Sequence, residues 1–102
     1  MKLLLRPAAV EDIRIARDYY ADADPRLDEQ LAQDLDRLFA RLEAFPRSAP
    51  VVIRYEPLRR AVLRRFPFAL FYQIIQPTRI DVLRIIHIAR SPDTWPAQQP
   101  SA

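Results

Sequence analysis

The sequence predicts an α+β domain in which a helical hairpin packs on a mainly antiparallel sheet, in the order β-α-α-β-β-β. Three observations carry this reading. Leu27, Leu31, Leu35, Leu38, Leu42 and Phe45 recur at helical spacing over five turns. Two later segments, Phe68 to Gln76 and Ile80 to Ala89, are apolar on both faces and rich in β-branched and aromatic residues, as buried strands are. Prolines divide the chain where these periods change.

Lys2 to Arg6 reads as a short strand that stops at Pro7, a residue suited to the first helical position. Ala9, Ile13, Ala16 and Tyr20 then form one face of a helix, with Glu11 and Asp12 near its positive end. That pattern breaks at Asp22 to Pro25. Asp24 is placed to cap a second helix that has Pro25 in its first turn and ends at Pro46. The short connection implies an antiparallel hairpin. Residues 46–57 form a connector punctuated by Pro46, Pro50 and Pro57, with a brief extended piece at Val51-Val52-Ile53. Leu58 to Phe66 is strand-like, Phe66-Pro67-Phe68 is a kink, and Gln76-Pro77-Thr78-Arg79 is a turn between the two apolar strands. Short connections make these strands antiparallel neighbours. One domain over residues 1–97 is expected, followed by a flexible tail at 98–102. The leucine stripe must bury itself on one sheet face. The opposite face has no helix to cover it, so apolar surface is expected to remain there for a partner or a second copy.

Composition narrows the function. The 102 residues include no cysteine, no glycine and one histidine, His87. Disulfides, thiolate sites, histidine-rich metal sites and Gly-rich phosphate loops are thereby excluded, and no cofactor is expected. The longest apolar stretch, Phe66 to Ile75, is about half of what a membrane-spanning helix needs. The start of the chain shows no secretory pattern, so a cytoplasmic location is expected. Net charge is +3, but residues 1–50 carry 8 basic and 10 acidic side chains and residues 51–102 carry 8 and 3. Nearly all the cations are arginine, which favours planar contacts to phosphate or carboxylate. The second half therefore suits nucleic acid or an acidic protein. The alternative is plain solvation of sheet surfaces.

Several motifs stand in order along the chain: Arg6-Pro7-Ala8-Ala9, Asp12-Ile13, Tyr19-Tyr20 and Leu42-Glu43-Ala44-Phe45-Pro46. They are followed by Arg64-Arg65-Phe66-Pro67-Phe68-Ala69-Leu70-Phe71-Tyr72 and His87-Ile88-Ala89-Arg90-Ser91-Pro92-Asp93-Thr94-Trp95. In order and spacing the chain resembles the RelE/ParE toxins of bacterial type II toxin–antitoxin (plasmid stabilisation) systems over roughly residues 3–95. The hairpin and closing motif are more similar to the ParE branch. The resemblance implies a RelE/ParE-like fold and a cognate antitoxin that covers the exposed apolar surface. ParE-like members poison DNA gyrase without a recognised active site. RelE-like members cleave mRNA on the ribosome.

Two readings stand for each candidate residue. Arg65, His87 and Arg90 form a catalytic set if the chain cleaves RNA, with His87 shuttling a proton and an arginine holding phosphate. In the other reading His87 bonds within the fold, Arg90 pins the C-terminal turn and the chain is not an enzyme. Lysines are absent apart from Lys2, and Trp95 stands where an acid or base would act, which weighs against catalysis. Arg59, Arg60, Arg64 and Arg65 are the densest basic cluster. Alternation assigns Arg60 and Arg64 to one face and Arg59 and Arg65 to the other, which argues against one phosphate-binding surface made by all four; Arg65 with Arg90 is the pair expected at a phosphate site, and the alternative is that these arginines take the antitoxin's acidic side chains. Tyr72 and Trp95 stack on a partner, or else Tyr72 is core and Trp95 a plug. A relative that has lost toxicity and keeps only antitoxin binding is the third reading. The acids Asp22, Asp24, Asp28 and Glu29 need only capping and dipole roles, and no metal is expected.

Overall fold

A computed structural model describes residues 1–89. The elements follow the expected order: β1 (Lys2–Leu5), α1 (Pro7–Ala23), α2 (Pro25–Ala44), β2 (Arg59–Val62), β3 (Phe68–Ile75) and β4 (Arg79–His87). The expected tail 98–102, together with Arg90 and Trp95, lies outside the described residues.

The two helices are one hairpin because a single residue ends the first and caps the second. The backbone N–H of Asp24 bonds Tyr20 O, which closes α1, and its carboxylate accepts from Arg26 N, which opens α2. Leu31, Leu35, Leu38 and Leu42 are buried as their spacing requires, against Ala9 and Ala16 of α1 and the near face of the sheet. Phe45 breaks the expected stripe. It stands one residue past α2 with non-helical backbone and is 67% exposed, because the helical period no longer aims it at the core.

The sheet order is β1-β4-β3-β2. β2, β3 and β4 form an antiparallel meander, and β1 docks parallel to β4 at the edge. A parallel pair needs a crossover, and the helical hairpin supplies it. β2 is shorter than the expected Leu58–Phe66 strand. Leu63 N still bonds Phe68 O, but Phe66 and Pro67 then turn the chain, with Phe68 N bonded to Phe66 O. Pro67 cannot donate to a ladder, so pairing resumes only at Phe68.

Residues directly opposite in the sheet share a face. Ala61, Leu70, Tyr72, Ile80, Val82 and Ile85 face the helices and form the main core with the leucine stripe. Leu58, Ala69 and Phe71 form a smaller cluster on the other face, with Val52, Leu83, Ile86 and Ile88 half-buried around it. The far face is thus covered in part, since the connector folds back over it through Val52 and Leu58. Leu4 and Val62 stay exposed.

Two aspartates join the layers. Asp12 of α1 takes a forked pair of bonds from Arg84 (2.7 and 3.0 Å) and a third from Ile85 N (2.9 Å). They meet at a β-bulge, where the register slips and Leu83 has no opposite residue. Asp34 of α2 is 2% exposed and accepts from Arg65 N (2.8 Å) and Phe66 N (3.2 Å) in the bend after β2. Replacing Asp34 by alanine leaves those donors unmatched and is expected to cost about 2–4 kcal/mol in a urea melt, because bonds to a charged acceptor are the stronger kind. Asp34→Asn keeps an acceptor oxygen and is expected to lose less.

Tyr72 is fully buried and its hydroxyl donates to Pro46 O at 2.6 Å. Burial pushes its phenol above the ordinary tyrosine value. A raised folded pKa leaves stability intact below the unfolded value of about 10 and removes it as pH climbs toward the folded value. Tyr72→Phe is therefore expected to be less stable than wild type near neutrality by about 1–2 kcal/mol. The gap should close above pH 10, as read by thermal melts across that range.

Candidate interaction surface

The sequence candidates divide into those the fold uses and those it leaves open. Arg59 is used. Its guanidinium donates to Ala49 O (2.7 Å) and Arg47 O (3.4 Å), which ties β2 to the connector. Tyr72 belongs to the core and has no surface to offer a partner, so its reading as a contact residue is corrected. An apolar strand position facing the leucine stripe draws the ring in, and Pro46 O satisfies the hydroxyl. His87 sits at the end of β4 opposite Phe68, and the two rings meet edge to face at 5.2 Å. Its Nδ1 accepts from Ala89 N at 3.1 Å.

The bend after β2 carries the open cations. Arg64 and Arg65 are both exposed, and among the described residues neither guanidinium has an ion-pair partner. Their division into opposite strand faces does not hold, because β2 ends at Val62 and strand alternation ends with it. Asp34 fixes the backbone of this bend from within, while Ile88 N donates to Pro67 O and ties it to the end of β4. Arg64, Arg65 and His87 are therefore gathered at one end of the sheet. Arg59 and Arg60 lie further along β2, opposite Tyr72 and Phe71.

Arg60 occupies the far face, two residues from exposed Val62. Its Nε is buried and has no hydrogen-bond acceptor. A buried charged donor without a partner opposes folding, and such a group is matched when another chain brings an acceptor. Several other arginines are paired within the fold. Arg14 bridges Glu11 and Asp18, Arg17 meets Asp28 at 2.6 Å, and Arg79 meets Asp81 at 2.8 Å. Sequence reasoning gave Asp12 only a helix-dipole role and passed over Asp34, and both bind the sheet side of the molecule. A buried acid inside an otherwise apolar helix face was the available signal for Asp34.

Basic and apolar groups are spread over a sheet end and its far face. An open cleft of about 410 Å³ at the end of α2 is lined only by Ala44 to Ser48 and brings no acid and base together. Among the described residues no group of three His, Asp or Glu side chains is placed to hold a metal, and no helix is long and apolar enough to cross a membrane.

The fold is that of a small α+β protein, a helical hairpin on a four-stranded sheet, with basic and apolar groups exposed at one sheet end and on the far face. Residues 3–92 match the family model for the ParE toxin of the type II toxin–antitoxin system parDE, and the chain belongs to that family. Among solved structures, a chain of the chromosomal ParDE toxin–antitoxin system from P. aeruginosa is similar in fold. The TM-score is 0.73 at 22% identity, covering 85% of this chain and 95% of that one. A search of curated proteins finds no match.

The unmatched Nε gives a stability prediction. Arg60→Met keeps the apolar stem and removes the buried donor. Its unfolding free energy is expected to equal or exceed the wild-type value by about 1 kcal/mol in a denaturant titration.

Proposed function

We propose that this chain is a toxin that inhibits DNA gyrase by binding and is held inactive by a cognate antitoxin. The observation that carries the non-catalytic part is the situation of His87. The one histidine is packed against Phe68 and its Nδ1 accepts from Ala89 N, an employment within the fold that supports the binding reading over RNA cleavage. Membership of the ParE family supports the toxin and antitoxin roles. Arg60, Arg64 and Arg65 are the proposed contacts for acidic side chains, and the far sheet face with Leu4 and Val62 is the proposed apolar seat of the antitoxin. Arg90 and Trp95 extend that contact set in this proposal. A toxin unit over residues 1–97 acting in the cytoplasm, without a cofactor, completes it.

The test uses protein freed of antitoxin, added in parallel to a gyrase supercoiling reaction and to a translating ribosome mix probed for mRNA cuts. Loss of supercoiling with intact mRNA is expected, and His87→Ala is expected to inhibit as well as wild type. Cut mRNA with normal gyrase, abolished by His87→Ala, would overturn the proposal and make the chain a ribosome-dependent endoribonuclease.

A further inference from the structure

The far sheet face is better buried than the elements lying over it explain. Ala69 and Phe71 belong to β3, an inner strand, on a face that no helix covers, yet each is 1% exposed. Val52 and Leu58 of the connector shield them from one side. Leu83, Ile86 and Ile88 adjoin from the side of β4, and all three are half-buried. Strand pairing sets Val62, Ala69 and Ile86 in one row across three strands, with the smallest side chain in the middle. A small residue between two branched ones leaves room above it for a flat ring.

The chain leaves from this same face. Ile88 packs against the far-face cluster and its N–H bonds Pro67 O, so Ala89 stands at the end of β4 beside the row. Residues 90–102 carry one large apolar side chain, Trp95, and one acid, Asp93. Pro92 and Pro96 bias Ser91 and Trp95 toward extended backbone. Residues two apart in an extended chain share a side, so that bias turns Asp93 and Trp95 the same way. Six residues of extended chain span about 20 Å, and the row is two interstrand spacings wide, about 10 Å. Trp95 can therefore reach Ala69. Arg60, opposite Phe71, and the exposed Arg64 and Arg65 border this face, which suits a segment whose one charge beyond Arg90 is negative. A tethered segment also meets its seat at an effective concentration of about millimolar, ahead of any separate chain.

We propose that residues 90–97 form a strap over the far sheet face, with the Trp95 ring seated on Ala69 between Val62 and Ile86, and that the antitoxin displaces it. The displacement rests on the proposed antitoxin reading, and the strap does not. In the free protein the strap keeps the apolar row from water. Its release opens the row to the antitoxin and hands Trp95 to the same contact.

Trp95 is the one tryptophan of the chain, so its fluorescence reports on this segment alone. In the full-length protein freed of antitoxin, acrylamide is expected to quench it severalfold less than in the urea-unfolded chain. Val62→Asp, at an exposed edge position, and Ile86→Ser are expected to raise quenching toward the unfolded value while the circular dichroism stays native. Ile15→Asp, at an exposed position of α1 in the other layer, should leave it unchanged. Quenching at the unfolded value in the wild type overturns the strap, as does shielding that survives both far-face variants. Shielding lost on dilution places the ring on a second copy and overturns it too. Displacement is read by fluorine NMR on toxin labelled with fluorotryptophan, which gives one resonance. Unlabelled antitoxin is expected to move that resonance, and a complex that forms without moving it overturns displacement. If no complex forms, the antitoxin reading and the displacement fall together, and the strap is decided by the quenching.

Discussion

A carboxylate buried among leucines must find donors, and much of this molecule is arranged around that constraint. Asp34 projects from the apolar side of α2 at 2% exposure. A free charge there would be costly, so the chain after β2 turns its Arg65 and Phe66 amides toward it. The bend thus acquires a fixed shape, with Phe66 buried against Tyr20 and two exposed arginines beside it. Asp12 does the corresponding task one helix earlier. It receives Arg84 and the amide of Ile85, where the bulge in β4 has freed a donor from the ladder. The helical hairpin is held to the sheet by hydrophobic burial, which sets the layers together, and by these two acids, which set the register.

That arrangement sorts the arginines. Six of the long cationic side chains make ion pairs within the described residues, most of them on or against the helical hairpin. Arg59 differs by giving its donors to carbonyl oxygens of the connector. The bend keeps Arg64 and Arg65 exposed, and the far face keeps Arg60 with its buried, unmatched Nε. Arg60, Arg64 and Arg65 thus stand toward the part of the sheet that lacks a covering helix. The chain belongs to the ParE toxin family of type II toxin–antitoxin systems.

The connector shows the same economy from another side. It closes part of the far face through Val52 and Leu58 and gives β2 a neighbour at Val51, yet it holds Ile53 and Tyr55 outward. Its backbone bonds fix the loop without using its side chains. Those side chains are left exposed.

By itself the sequence determined the element order, the helical hairpin, the leucine core and the antiparallel pairing of β2, β3 and β4. Each rests on local period or on short connections, which a linear reading resolves. The caps at Asp24 and Pro25 were equally legible because capping is a contact between near neighbours. The motifs through Tyr72 and around His87 carried the family. Only the tertiary structure decided where β1 docks, since a parallel edge strand pairs across some 75 residues with no local signal. It alone decided that Tyr72 is core and Arg59 structural, because both depend on carbonyl oxygens of the connector, whose path has no period. And it decided the roles of Asp12 and Asp34. A carboxylate in a helix reads as surface until the strand or bend that donates to it is brought alongside.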